Sequence, residues 1–234
     1  MPTVLLIRHG RTTANTDGVL AGWTPGVRLD EAGRAQVAGL AERLAGARVA
    51  RVVSSPLERC LQTAQAVGEA TNTPVVQDVR LAEARYGDWT GRSLRELSRT
   101  RLWRVVQDHP SAAVFPGQDG ESMSDMAARA VQAVRDHDRQ VAEHEGDGAL
   151  WAAVSHGDVI KAVLADALGM HLDAFQRIAV DPCSVSVVRY TERRPFVVRL
   201  NDTGSPLRSV QPPRRRRGRR QSSDAAVGGG AGDS

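Results

Sequence analysis

Two short apolar runs constrain this chain most: Thr3–Arg8 (TVLLIR) and Leu150–Ser155 (LWAAVS), each ending at once in a His-Gly pair, His9-Gly10 and His156-Gly157. Continuous runs of that length, without polar alternation, suit strands buried on both faces, and such strands belong to parallel sheets roofed by helices. The intervening sequence supplies the helices. Asp30 is placed to N-cap a helix carrying Val37, Leu40, Ala41 and Leu44 at helical spacing, and residues 51–54 (RVVS) read as a second strand. Ser55-Pro56-Leu57-Glu58 predicts a helix start with serine at the N-cap, proline at the first position and Glu58 closing a capping box, with the helix running to about residue 70.

Further on, residues 73–77 read as a short strand, 81–91 as irregular and 93–108 as helical, and Ser122 with Asp125 opens a long helix to about His144. Residues 159–168 form a helix stopped by Gly169, 175–180 are expected to be helical, and 184–190 with 196–201 read as a closing strand pair. The expected fold is therefore α/β, with three layers: a mainly parallel sheet with helices on both faces. It occupies residues 1–206, and residues 207–234 read as a disordered, Arg-rich C-terminal tail too poor in apolar residues to offset its ordering entropy.

Charge is informative once located. Residues 211–234 hold six Arg and two Asp, the whole net charge of +4, while the rest carries 25 residues of each sign. A neutral body and a tail without interleaved aromatics argue against specific nucleic-acid recognition, although the tail alone could bind acidic surfaces in a salt-dependent way. No apolar run approaches the ~18 residues that a membrane span needs, so a cytoplasmic protein without membrane partners is expected. Cys60 and Cys183 fit no paired framework and read as free buried thiols.

In parallel sheets, reactive side chains gather beyond the carboxyl ends of the strands. Three such ends carry unusual polar groups: Arg8-His9-Gly10, Ser54-Ser55 with Arg59, and His156-Gly157. Converging, they would form a positive pocket, completed by a helix N-terminus after Gly157 and suited to a dianionic phosphate. A metal site built from His9, His156 and Asp158 is the rival, weakened by the absence of HxH or HExxH spacing, so no metal is expected. His137 and His144, among Asp138, Glu143 and Glu145, are expected on an exposed polar helix face, and His109 and His171 in solvent. Trp23 and Trp89 fit a substrate cleft and loop packing equally well.

These residues, with Asn15, Gly22-Trp23, Leu29 and Gly33, Gln62-Thr63-Ala64, Leu81-Ala82-Glu83, Gly87-Asp88-Trp89 and Gly120-Glu121-Ser122, resemble the histidine phosphatase superfamily and its phosphoglycerate mutase-like fold over residues 3 to 200. The resemblance implies a phosphomonoester hydrolase of a small phosphorylated metabolite, working without cofactor through a phosphohistidine. A phosphoglycerate mutase-type phosphotransferase is the alternative, and a homodimer is compatible with it. It implies His9 as nucleophile, Glu83 as general acid, and Arg8, Asn15, Arg59, His156 and Gly157 around the phosphoryl oxygens. Two positions depart from the family pattern: Thr90 stands where many members have glutamate, which leaves Glu83 as the acid, and Arg11 where an acidic or amide residue is common. Arg11 is read as a solvated side chain, with a role at the pocket mouth as the alternative.

Overall fold

The computed structural model describes residues 2–204; the Arg-rich tail and its boundary at 206 lie outside the described residues. In chain order the elements are β1 (Thr3–Arg8), α1 (Thr13–Thr16), α2 (Glu31–Leu44), β2 (Val49–Ser54), α3 (Glu58–Thr71), β3 (Val75–Gln77), α4 (Leu94–Leu97), α5 (Arg101–Asp108), α6 (Met123–Glu145), β4 (Leu150–Ser155), α7 (Gly157–Ala167), β5 (Val185–Arg189) and β6 (Phe196–Asp202). The strands form one sheet in the order β3-β2-β4-β1-β5-β6. The first four run parallel, and β5 and β6 close the edge antiparallel. This is the expected three-layer α/β arrangement.

The central pair sets the geometry of everything above it. β1 and β4 lie side by side in register from Thr3 opposite Leu150 to Arg8 opposite Ser155, so His9 and His156 leave the sheet at the same height. Side chains alternate across β1: Val4 and Leu6 join the layer of α5, α6 and α7 with Met126, Val134 and Leu164, whereas Leu5 and Ile7 face Val37, Leu40 and Val67 of α2 and α3. Each such side chain contributes about 1.5–3 kcal/mol of burial, which anchors both strand ends rigidly. Gly33 allows α2 to start against the chain leaving β1, because a Cβ there would collide with the Arg11 carbonyl.

Several local expectations are corrected. Asp30 caps α2 through Gly33 N and Ser122 caps α6 through Asp125 N, as read from the sequence. Ser55, however, does not cap α3; the helix starts at Glu58 after Leu57, which makes no side-chain cap. The Ser55 hydroxyl accepts from the Leu57 amide at 3.3 Å and meets His156 at 2.8 Å, so it braces the turn ahead of α3 and reaches none of the helix's own amides. The 93–108 segment is two helices, α4 and α5, separated where Thr100 caps the second by accepting from Trp103 N. The expected helix at 175–180 is instead a 3-10 helix at Leu172–Arg177, beyond which Ile178 is extended. Among the described residues no helix is long and apolar enough to cross a membrane.

His137 and Asp138 are also corrected, since both are buried rather than on a solvated face. His137 Nε2 lies 2.9 Å from Asp78, and Arg51 donates to its Nδ1 at 3.2 Å. Asp138 accepts from the indole N–H of fully buried Trp151 at 3.0 Å, while burial pushes its carboxyl up. His144, His109 and His171 are exposed, as expected. Asp138→Ala, which strands the Trp151 donor, is expected to destabilise the fold by about 1–3 kcal/mol, whereas Asp138→Asn, which keeps an acceptor, costs less than about 1 kcal/mol. Urea unfolding of the two variants checks the difference.

Candidate active site

The site begins with an arginine held between two histidines. Arg59, in the first turn of α3 and buried, donates from Nε to His9 Nε2 at 3.3 Å and from Nη2 to His156 Nδ1 at 3.2 Å, with Nη2 also reaching the Gly22 carbonyl at 2.9 Å. A guanidinium only donates, so both of those ring nitrogens present lone pairs. The opposite nitrogens then carry the protons: His9 Nδ1–H donates to the Gly10 carbonyl at 2.8 Å, and His156 Nε2–H to Ser55 Oγ at 2.8 Å. The rings meet edge to face, 5.3 Å between centroids. Burial first, then the charge of Arg59, holds both imidazoles well below the usual histidine range.

Around this pair the pocket is buried and positive. Arg8 is 1% exposed and anchored by Nη1 to the Val180 carbonyl at 2.8 Å. Gly157 opens α7 directly after His156, so the positive end of that helix points into the same place. Gly22, at φ +49, supplies the carbonyl that holds Arg59, and a Cβ there would meet Thr90 Oγ1 at 3.0 Å. Asn15 is different: its Oδ1 accepts from Thr12 N and Oγ1 at 3.0 and 2.9 Å, completing a capping box on α1, so Nδ2 is the donor its side chain keeps. It makes no bond to the other six candidate residues among the described contacts.

Glu83 lies 3.9 Å from His156 Nδ1 through Oε2, while its Oε1 accepts from Ala84 N at 3.0 Å. Burial, followed by the negative charge of Asp158, pushes the Glu83 carboxyl up to about 7. Asp158 faces Tyr86, whose hydroxyl donates at 3.0 Å, and Lys161 at 3.6 Å. The rival set of His9, His156 and Asp158 is therefore not a ligand cluster, because a guanidinium occupies the ground between the rings. Among the described residues no group of three His, Cys, Asp or Glu is arranged to hold a metal ion.

Sequence reasoning missed the clamp on the Glu83 segment. Arg129, on α6, donates to the carbonyls of Arg80, Ala82 and Glu83 at 2.7, 2.8 and 3.1 Å, and Trp23 Nε1 adds a second donor to the Glu83 carbonyl at 2.7 Å. Glu121 grips Arg129 with both oxygens, at 2.6 and 3.0 Å, and accepts from Arg85 N at 2.7 Å. Glu121 stood within the Gly120-Glu121-Ser122 motif without a role, and nothing in the sequence singles out Arg129. Tyr86 and Lys161 likewise carry no sequence signal, and Ser55 reads from sequence only as a strand-end group and helix cap. Arg11 is half-buried rather than fully solvated and pairs with Asp30 at 2.8 Å. Trp89 is buried, stacked on Trp103 with 6.3 Å between centroids, whereas half-buried Trp23 lines a cavity. Both cysteines are free and buried; Cys60 packs 3.4 Å from His156 Nε2, and burial pushes each thiol up to about 12.

Comparison with known proteins follows the same outline. The sequence profile of the histidine phosphatase superfamily (branch 1) matches residues 4–203. Glucosyl-3-phosphoglycerate phosphatase of Mycolicibacterium vanbaalenii is 32% identical over 172 residues, 73% of this chain and 76% of that protein. Phosphoserine phosphatase 1 of Hydrogenobacter thermophilus is 29% identical across 87% and 93% of the two chains, and a probable phosphoglycerate mutase GpmB of Proteus mirabilis 31% across 81% and 86%. The solved structure of Bacillus stearothermophilus YhfR superimposes with a TM-score of 0.76 at 28% identity, over 86% of this chain and 98% of that one.

The raised Glu83 pKa has a consequence for stability. The carboxyl is protonated in both folded and unfolded chains well below its ordinary 4.5, and ionised in both above about 7, where burial of the charge opposes folding. Stability contributed at this position therefore falls as pH rises from about 4.5 to 7. Glu83→Gln is expected to be more stabilising at pH 8 than at pH 4 by up to about 3 kcal/mol. Urea unfolding at the two pH values measures it; equal effects would show a carboxyl with an ordinary pKa.

Proposed function

The chain belongs to the histidine phosphatase superfamily, and from that premise we propose that it hydrolyses phosphomonoesters of small metabolites through a phosphohistidine on His9. The observation that carries this reading is the tautomer of His9: with its proton held on Nδ1 by the Gly10 carbonyl, Nε2 presents a lone pair into a buried, doubly arginine-lined pocket. Neutral at physiological pH, that imidazole is a ready nucleophile.

A phosphate dianion entering the pocket takes over the donors of Arg59, freeing His9 Nε2, while Arg8, Arg59 and the amide end of α7 meet the phosphoryl oxygens. The incoming charge also offsets the burial penalty and the arginine repulsion that keep His156 neutral, so Nδ1 can take a proton from solvent and donate it to the same oxygens. Asn15 Nδ2 supplies a further donor at the rim. His9 Nε2 then attacks phosphorus as the P–O bond breaks, and protonated Glu83 gives its proton to the departing oxygen. The phosphorylated ring, still carrying N–H at Nδ1, is stabilised by the Gly10 carbonyl. In the second step, the Glu83 carboxylate takes a proton from water, the water oxygen attacks phosphorus, the P–N bond breaks and neutral His9 returns with release of inorganic phosphate.

Acid-labile, base-stable phosphoryl label on the protein after rapid quenching is expected from wild type and absent from His9→Ala, with kcat/KM down about 10³-fold or more. Label persisting in His9→Ala would overturn the assignment. Because the acid must be protonated, kcat/KM should fall as pH rises above about 7, and Glu83→Gln should abolish that limb. The same variant is expected to slow alkyl phosphates by about 10²–10⁴-fold and p-nitrophenyl phosphate, whose leaving group needs no proton, by less than about tenfold.

The mutase reading concerns the same intermediate and its acceptor. Between Trp89 and Gly120 the chain is spent on α4, α5 and the loop that buries Phe115, with Leu97, Trp103 and Val106 committed to the core. That leaves little chain to close over a second acceptor, so water competes with it for the phosphohistidine once the leaving group departs. Incubation with 3-phosphoglycerate and catalytic 2,3-bisphosphoglycerate is therefore expected to give little 2-phosphoglycerate; rapid isomerisation without phosphate release would favour the mutase.

A further inference from the structure

Beside the reaction centre lies a cavity of about 500 Å³ lined by Trp23, Thr24, Arg85, Asp88, Thr90 and Asp119, among others. It is joined to the chemistry by Trp23, whose indole N–H holds the Glu83 carbonyl at 2.7 Å, and by Thr90, which packs on the Gly22 turn that anchors Arg59. In the proposed mechanism the departing oxygen lies against Glu83, so the body of the leaving group extends from there, alongside Trp23, into this cavity. The mechanism uses none of the cavity's side chains, and Trp23 bears on it only by holding the Glu83 carbonyl.

Its charges are arranged unusually. The Arg85 guanidinium sits over the Trp23 ring, 4.1 Å from the centroid, where an aromatic wall would otherwise receive a cationic group. Asp88 and Asp119 are exposed and hold no side-chain hydrogen bond or ion pair among the described residues, although Arg85 shares the cavity with them. A cationic leaving group meets Arg85 in its place on the ring; an anionic one meets two open carboxylates. A neutral group bearing several hydroxyls suits both, donating to the carboxylates and accepting from Arg85 and the Thr24 and Thr90 hydroxyls. The volume accommodates a sugar or polyol.

We propose that this cavity is the leaving-group subsite and that it selects phosphomonoesters of neutral polyhydroxylated compounds, sugars or polyols, over those of carboxylates and quaternary amines. The proposal rests on the phosphatase reading and deepens it. Selection works by exclusion as much as by attraction, since each charged competitor is opposed by a fixed like charge.

The test compares kcat/KM for a hexose monophosphate, 3-phosphoglycerate and phosphocholine, with p-nitrophenyl phosphate as the measure of the shared chemistry. Wild type is expected to prefer the hexose phosphate over both charged substrates by about tenfold or more. Asp88→Asn with Asp119→Asn keeps the hydrogen-bonding groups but removes the charge, and should raise 3-phosphoglycerate relative to the hexose phosphate by about tenfold; Arg85→Gln should raise phosphocholine likewise. Hydrolysis of p-nitrophenyl phosphate should stay within about twofold in both variants, which reports intact folding and phosphoryl chemistry. Wild type preferring 3-phosphoglycerate or phosphocholine, or ratios unmoved by the substitutions, would overturn the subsite and leave the phosphatase reading standing. Failure of wild type to hydrolyse any of the four would overturn both.

Discussion

A fully buried guanidinium between two neutral imidazoles is the interaction around which this molecule is built. Among the described residues Arg59 contacts no carboxylate; its partners are two ring nitrogens and a backbone carbonyl, and Arg8 nearby is as deeply buried. Glu83, the buried carboxyl beside them, keeps its proton up to about 7, so an entering anion supplies negative charge that the protonated group does not. The hydrophobic layers on either side of the sheet supply the stability that tolerates the buried cations. Ligand charge then relieves what the fold endures, which couples phosphate binding to stabilisation of the same residues.

The same buried environment acts in opposite directions on the two kinds of titrating group. It penalises whichever form is charged, so the histidines are driven neutral and Glu83 is driven to keep its proton up to about 7. The proposed nucleophile and acid are thus prepared by one cause, and the arginines and Asp158 adjust it. Position is set separately. The β1–β4 register brings His9 and His156 together, whereas Glu83, on irregular chain, depends on Arg129, Glu121 and Trp23 to fix its backbone.

This division explains what could be read from sequence. β1 and β4 were legible to the residue because continuous apolar runs on central strands have no alternative placement, and the candidate centre followed from their ends. The Ser55 region was not, because a short polar side chain can serve either a local cap or a distant partner with the same sequence signature: Ser55 reads as a helix cap and serves His156. Asn15 adds a local role that its sequence position does not announce, its oxygen bonding back to Thr12 in the capping box of α1 while Nδ2 is left for the proposed phosphate contact. His137 and Asp138 read as a solvated face because the pairing that buries them lies on other elements, Asp78 and Trp151. Arg129 escaped for the same reason: its partners are carbonyls some 46 to 49 residues away, and carbonyls leave no trace in a sequence.

Relatives named for different phosphorylated substrates share this architecture, and the placement of the groups gives a physical reason. Arg8, His9, Arg59 and His156 sit at strand ends or the first turn of a helix, each at most 3% exposed, where a change disturbs packing, register and charge together. Arg85, Asp88 and Asp119 stand on exposed loop or 3-10 segments with few contacts, where replacement costs little stability. On the proposed reading, phosphoryl chemistry is therefore tied to the fold, while the proposed leaving-group subsite is free to vary on the same scaffold. The Glu83 segment lies between these regimes, its carboxyl in the centre and Arg85, two residues on, in the cavity wall. A substitution in that wall can retune the substrate without moving the acid only while Arg129 and Glu121 hold the backbone, which makes the clamp the condition under which one site serves many substrates.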